Sequence, residues 1–252
     1  MARAEHTLKV DALVLRHTDW GEADRLLGLY TLQAGKIRAV AKGARRLRSR
    51  KAGHLEPFTR VSLLLARGRD LWIVTQADTI HAYLKLREDL TTTTQAAYMV
   101  ELVDRFTYDE EPNPTLFRLF CESLQRLDAS QDSFLVLRYF EVRLLDHLGF
   151  RPQLFQCVRC RRDIQPVDQY FSAAEGGVVC PACGRNQTDL KPVSMQALKY
   201  LRHYQRSSYP DAQKALIPSA IQTEMETILS YYLTFLLERA LNSPQFLREV
   251  KA

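Results

Sequence analysis

Three features of the sequence predict an α+β multidomain chain. The first third alternates apolar and polar side chains with a period of two, and from about residue 88 the period lengthens to 3.6. Four cysteines stand in two pairs, Cys157-Val-Arg-Cys160 and Cys180-Pro-Ala-Cys183, with nineteen residues between the pairs. These features divide the chain into a β-barrel at 1–83, an all-α helical domain at 84–154 and 191–252, and a cysteine module inserted at 155–190.

The strands come first. Leu8, Val10, Ala12, Val14 and Arg16 alternate, with Leu13 and Leu15 making the opposite face apolar as well. Asp24 to Leu32 and Lys36 to Lys42 are two further strand-like runs, joined through Gln33-Ala34-Gly35. Val61 to Arg67 and Leu71 to Ala77 form a second hairpin through Gly68-Arg-Asp. Five strands in this order, with a longer excursion at 43–57, suit a small closed barrel of the OB-fold type. The excursion is bounded by glycines and densely charged, so it is expected to project as a mobile basic loop. Trp20, Tyr30, Phe58, Trp72 and Tyr83 are the candidate aromatics; each suits a core as well as a stacking surface, and Trp20, read as a loop residue beside Gly21, is the one expected to be exposed. His54 has no acid or nucleophile near it in sequence and reads as a surface residue.

Helices follow. Thr94 to Phe106 is amphipathic, with Thr91-Thr-Thr-Thr94 read as a loop leading into it. Asn113-Pro114 opens a second helix running to Leu127, and Ser130 and Asp132 open a third that Gly149 and Pro152 stop. Ser194 to Tyr204 and Ser219 to Leu241 complete the set. The cysteine module interrupts these helices, so they are expected to form one bundle with the module on its surface.

Two thiolates separated by two residues grip one tetrahedral ion from a single turn, and a second such turn closes the shell. Pro181 and Gly184 fit the turn geometry of such a knuckle, and Arg159, Arg161, Arg162 and Arg185 offset the charge of four thiolates. One structural zinc on Cys157, Cys160, Cys180 and Cys183 fits best, with an iron–sulfur cluster as the alternative. Disulfides suit a secreted domain, but Met1-Ala-Arg-Ala-Glu-His does not resemble a signal peptide, and a redox dithiol usually stands alone. Cys121, in Leu116-Phe-Arg-Leu-Phe-Cys, reads as a small core residue.

At 252 residues, 46% hydrophobic and 25% charged, the composition is that of a soluble globular protein with no apolar run long enough for a bilayer, which points to the cytoplasm and to no membrane partner. The net charge of +6 is unevenly placed. Residues 1–83 carry fifteen Lys or Arg against eight Asp or Glu, whereas the remainder carries twenty against twenty-one. The excess concentrates in Lys36, Arg38, Lys42, Arg45, Arg46, Arg48, Arg50 and Lys51, a run without one acidic residue. Idle charge runs normally mix signs, so a phosphate-binding surface is the better account than a solvated face or a nuclear-targeting tract.

Glu22-Ala-Asp-Arg-Leu-Leu-Gly-Leu-Tyr-Thr, Gly35-Lys, Val40-Ala-Lys-Gly-Ala-Arg-Arg and Leu55-Glu-Pro-Phe together resemble the N-terminal signature of the RecO family of DNA repair proteins. Leu148-Gly-Phe-Arg-Pro, followed by the two cysteine pairs, is similar to the later part of that family, so the resemblance spans most of the chain. It implies an OB-fold, a helical domain and a four-cysteine zinc finger in one polypeptide, from a bacterial protein that associates with the nucleoid when on DNA. It also implies recombination mediation: binding single- and double-stranded DNA, annealing complementary strands, and helping to load RecA onto strands coated by single-strand-binding protein, with RecR as partner. DNA contact carries over to Lys42, Arg45 and Arg46. A site for the acidic C-terminal tail of single-strand-binding protein would have to be local in the near-neutral helical part, with Arg138 and Arg143 as possible anchors or as ordinary solvent-facing arginines.

Other classes stay open. An enzyme would need converging acid–base or nucleophilic groups, and the sequence offers neither paired carboxylates in a loop context nor a phosphate-cradling glycine loop, so a non-enzyme is expected. A zinc-ribbon RNA-binding accessory protein of transcription or translation would share the basic barrel and the knuckle. A purely architectural scaffold would show no salt-dependent affinity for nucleic acid.

Overall fold

In the computed structural model, which describes residues 7–237, the alternating first third closes into a barrel. Its strands are β1 (Thr7–Trp20), β2 (Asp24–Thr31), β3 (Gly35–Ala41), β4 (Arg60–Arg67) and β5 (Trp72–His81). They are ordered β1-β2-β3-β5-β4, with β4 returning antiparallel to β1 so that the sheet has no free edge. Successive strand residues point to opposite faces, and the inward set is apolar: Val10, Ala12 and Val14 as their alternation predicts, then Leu27 and Leu29, then Ile37, Ala39 and Ala41, then Val61, Leu63 and Leu65. Leu13 and Leu15 are buried on the other face of β1. The architecture is OB-like.

The β2–β3 turn depends on Gly35. Its φ is +64°, and a Cβ there would lie 2.2 Å from the Glu111 carbonyl oxygen, so backbone conformation and close approach both call for glycine. Thr31 completes the turn: its Oγ1 accepts the Ala34 N–H and donates to the Gly35 carbonyl, each at 2.9 Å. Trp20 is the last residue of β1, not a loop residue, because the β1–β2 ladder continues to the Trp20–Asp24 pair and leaves a three-residue turn.

α1 (Leu90–Phe106) and α2 (Pro114–Asp128) belong with the barrel to one compact unit ending at Ser130. Thr91 to Thr94 lie within the first turn of α1 instead of in a loop before it. Asp89 caps that turn by accepting the Thr92 N–H at 2.8 Å, which favours helix there, and the Thr94 hydroxyl donates to the Leu90 carbonyl at 2.7 Å. Asn113 caps α2 in the same way, with Pro114 in its first turn. Cys121 is 5% exposed in the core of this unit, and burial pushes its thiol up to about 12.

The second unit begins at Gln131. α3 (Ser133–His147) is buried on every side from Leu135 to Val142, which makes it the central helix of this unit. Strands β6 (Gln169–Ser172), β7 (Gly177–Val179) and β8 (Lys191–Val193) form a small antiparallel sheet in the order β7-β6-β8. With three or four residues each, they are too short to show alternation in sequence. α4 (Pro181–Gly184) is one turn within the cysteine module; α5 (Met195–Arg206), α6 (Tyr209–Ala212) and α7 (Ser219–Leu236) follow. α5 buries Ala197, Leu198, Leu201 and Tyr204, the i, i+1, i+4, i+7 stripe of an amphipathic helix. The continuation expected to Leu241 lies outside the described residues. No helix among them is long and apolar enough to cross a membrane.

Candidate nucleic-acid interface and metal centre

The basic excursion between β3 and β4 is anchored at both ends. Ala44 and Leu55 are fully buried in the barrel core, so the charged stretch carries two apolar pins that its overall charge conceals. At the first end the Asp24 carboxylate accepts the Gly43 N–H at 2.7 Å, and the Ala23 carbonyl accepts the Arg45 N–H at 2.9 Å. The Arg45 guanidinium also donates to the Gly21 and Glu22 carbonyls at 3.3 and 3.4 Å and lies 3.2 Å from the Asp19 carboxylate. At the second end Glu56 accepts from Arg25 at 2.8 Å and lies 3.3 Å from His17 Nε2. Burial alone would raise the Glu56 carboxyl, but the hydrogen bonds from Arg25 and His17 outweigh it and hold the group below the usual carboxylate range. The Glu22-Ala-Asp-Arg and Leu55-Glu-Pro-Phe segments are thus the clamps of the loop, which is fixed at its roots and presents Arg46 to Arg48 to solvent.

The eight cations singled out in sequence fall into two groups. Arg38, Lys42, Arg46, Arg48 and Arg50 are exposed and make no ion pair among the described residues. Lys36, Arg45 and Lys51 are engaged internally. Lys36 Nζ donates to the Asp104 and Thr107 carbonyls at 2.6 and 2.8 Å, with the Asp104 carboxylate at 3.5 Å, and so ties β3 to the end of α1. Lys51 Nζ donates to the Val74 carbonyl at 3.1 Å.

Among the aromatics, Tyr30, Phe58 and Tyr83 are buried, whereas Trp20 is 50% exposed. Trp72 is half-buried at the start of β5, and the Arg67 guanidinium lies 4.9 Å from its ring centroid. Beside it runs an open groove of about 360 Å³ whose walls include Arg38, Arg67, Arg69 and Trp72. Arg67 and Arg69 were not picked out in sequence; the available signal was two arginines flanking Gly68 in a hairpin that a tryptophan follows. The His54 Nδ1 lies 2.7 Å from the Thr79 hydroxyl, a structural contact.

The four cysteines converge in the second unit. All four sulfurs lie within 4.8 Å of one another, and Cys160 and Cys180 are 3.8 Å apart. A tetrahedron with metal–sulfur bonds of about 2.3 Å has edges of about 3.8 Å, so the donor set fits one tetrahedral ion. The first knuckle is closed by the Arg161 N–H to the Cys157 carbonyl at 2.9 Å, and the second by the Cys183 N–H to the Cys180 carbonyl at 3.0 Å. Gly184 admits the Tyr170 ring, which a Cβ would approach to 2.5 Å. Arg159 links the knuckles, donating to the Cys183 carbonyl at 2.9 Å and to both carboxylate oxygens of Glu175. Cys157 is fully buried, which would raise its thiol, but backbone N–H groups of Cys160, Cys180 and Arg159 bring it down to about 6. Cys183 is pushed the other way, up to about 12, because the Cys180 and Cys160 sulfurs favour its protonated form. Four thiolates this close cannot all ionise without a cation between them.

Arg138 lies inside the packing of the second unit, 5% exposed and 2.8 Å from Glu141, not at the surface. The apolar residues that surround it on α3 explain the difference from a solvent-facing arginine. Arg143 is half-buried, donates to the Gln205 carbonyl at 3.0 Å and lies 3.4 Å from Asp146. A separate open groove of about 700 Å³ in this unit combines Lys199, Arg202 and Arg206 with Phe155, Tyr200 and Leu216, and the Arg206 guanidinium sits 3.6 Å from the Phe155 ring centroid.

A closed OB-like barrel with a cationic loop, followed by a helical region into which a four-cysteine cluster is inserted, defines the class of protein. Two family models cover nearly all of the chain: Recombination protein O N terminal matches residues 4–83, and Recombination protein O C terminal matches residues 87–245. The chain is 39% identical over 247 residues to the DNA repair protein RecO of Roseiflexus sp., covering 98% of this chain and 87% of that protein. It is 36% identical over 234 residues to that of Dehalococcoides mccartyi (93% and 92% covered), and 30% identical over 245 residues to that of Bacillus pumilus (97% and 95% covered). The chain belongs to the RecO family of recombination and DNA repair proteins.

Proposed function

We propose that this protein is a recombination mediator without catalytic activity, which holds DNA strands on its barrel, anneals complementary strands and, with RecR, helps load RecA onto DNA coated by single-strand-binding protein. The observation that carries the reading is the set of five exposed cations, Arg38, Lys42, Arg46, Arg48 and Arg50, left without ion pairs among the described residues on a rigidly rooted loop and its adjoining strand. Solvated cations on a fixed scaffold attract phosphates by releasing the counterions that nucleic acid holds. A surface that holds two strands also reduces their mutual repulsion and raises their local concentration, which is what annealing requires. Membership of the RecO family favours DNA over RNA as the substrate and supports RecR and single-strand-binding protein as partners.

Zinc is the ion assigned to Cys157, Cys160, Cys180 and Cys183, since a closed shell of four sulfurs with no open position suits a structural ion. The acidic tail of single-strand-binding protein would meet the second unit. Arg143 is the more accessible of the two arginines considered, and the groove with Arg202, Arg206 and Leu216 offers the mixed cationic and apolar chemistry such a tail needs. The test is strand annealing without nucleotide or magnesium. The intact protein is expected to accelerate pairing of complementary oligonucleotides, and replacing Lys42, Arg46, Arg48 and Arg50 by Ala should remove most of that acceleration. Equal annealing by the folded variant would place the strand-binding surface elsewhere.

A further inference from the structure

We propose that the groove where β3 parts from β5 is a base-binding subsite, in which an unpaired base stacks against the Trp72 and Arg67 side chains while neighbouring phosphates lie on the basic loop. This deepens the reading of the barrel as a DNA-strand surface and rests on it. The parallel pairing of β3 with β5 comprises two residue pairs, Ala39 with Trp72 and Val40 with Ile73. Towards its start β3 is instead bridged at Lys36 by Asp109, and the Glu110 N–H donates to the Lys36 carbonyl at 2.9 Å. Between these two attachments β3 makes no ladder pair with β5, and the groove of about 360 Å³ lies there.

Its chemistry suits a base better than a phosphate. The flat surface is the Trp72 indole with the Arg67 guanidinium 4.9 Å from the ring centroid, a cation–aromatic pair held by the direct Arg67–Trp72 pairing across β4 and β5. The Gly68 N–H closes the connecting turn on the Leu71 carbonyl at 3.1 Å, which fixes the pair in place. Cations in the groove are nearly balanced by Asp70, Asp109 and Glu110, so its net charge is small. Carboxylates repel phosphate but accept hydrogen bonds from base N–H groups, the amino groups of adenine and cytosine and the ring N–H of thymine alike. A duplex hides its base faces within the stack, so this subsite selects single strands over double strands.

The experiment uses the full-length protein and oligothymidylate. In a Trp20→Phe background Trp72 is the remaining tryptophan, and its emission should be quenched saturably with the same midpoint as binding. Trp72→Leu, which keeps apolar bulk but removes the ring, should weaken binding about five- to one-hundred-fold while leaving the salt slope unchanged. An unquenched Trp72 in protein that binds the oligonucleotide would overturn the subsite and leave the basic loop as the strand surface. If Trp72→Leu disturbs folding, the quenching measurement on intact Trp72 still decides. Failure of the unmodified protein to bind any single strand would overturn both this subsite and the reading it rests on.

Discussion

The barrel and the cysteine module solve opposite electrostatic problems. The barrel carries a surplus of positive charge, much of which its scaffold does not use: its core is aliphatic, its sheet is closed, and Arg46, Arg48 and Arg50 stand in solvent, where a charge costs little. The cysteine module has a small core in which Cys157 itself is packed with Val179 and Leu190, and its four sulfurs crowd within 4.8 Å. On the proposed assignment of zinc, the ion would supply there the cohesion that aliphatic packing supplies in the barrel. On this reading the barrel can lose its solvent-exposed loop cations and keep its fold, whereas the module would not keep its shape without an ion.

The largest effect expected from this contrast is on the module. Removing zinc with a chelator, or replacing Cys180 with Ser, should remove on the order of 10 kcal/mol of local folding free energy. Metal analysis should find one equivalent of zinc in the intact protein, and amide exchange should rise sharply across residues 155–190 while the barrel strands stay protected. Exchange rising equally in both regions would break the comparison.

Lys36 sharpens it from the other side, because it belongs to the cationic run yet is built into the fold. Lys36→Met strands two carbonyl acceptors at the end of α1 and should cost about 1–3 kcal/mol in denaturant unfolding, with little change in the salt dependence of DNA binding. The smallest effect is expected at the second root of the loop. Glu56→Gln should cost less than about 1 kcal/mol at neutral pH, since the carboxylate is partly exposed. Its folded pKa is lowered, so its contribution is present above the ordinary carboxylate range and is lost as pH falls through the folded value. The stabilities of wild type and variant should converge as pH falls below the ordinary carboxylate range.

What the sequence made legible follows the range of the interactions involved. The five barrel strands follow from period-two alternation, and the convergence of the cysteines follows from spacing within two short turns; both are local signals. The sorting of the cations was not legible, because Lys36 and Arg38 lie two residues apart on one outward strand face and differ only in what lies above them. Asp104 and Thr107, at the end of a helix some seventy residues on, meet Lys36 and not Arg38. Arg138 was misread for a similar reason: helical spacing allows a solvent-facing position, and the packing around α3 closes it. The Trp72 groove is formed by β3 and by the β4–β5 hairpin some thirty residues later, so only the register of the closed barrel brings its parts together.

The most direct test of the central claim is the salt dependence of single-stranded DNA binding, measured for the intact protein and for a variant with Lys42, Arg46, Arg48 and Arg50 replaced by Ala. Each phosphate neutralised contributes about 0.7 to the slope of log affinity against log salt for single strands, so the variant's slope should be shallower by up to about 3. Its thermal stability should match that of the intact protein, because none of the four side chains is tied into the barrel. An unchanged slope in the folded variant would contradict the assignment and move the strand-binding surface off the loop.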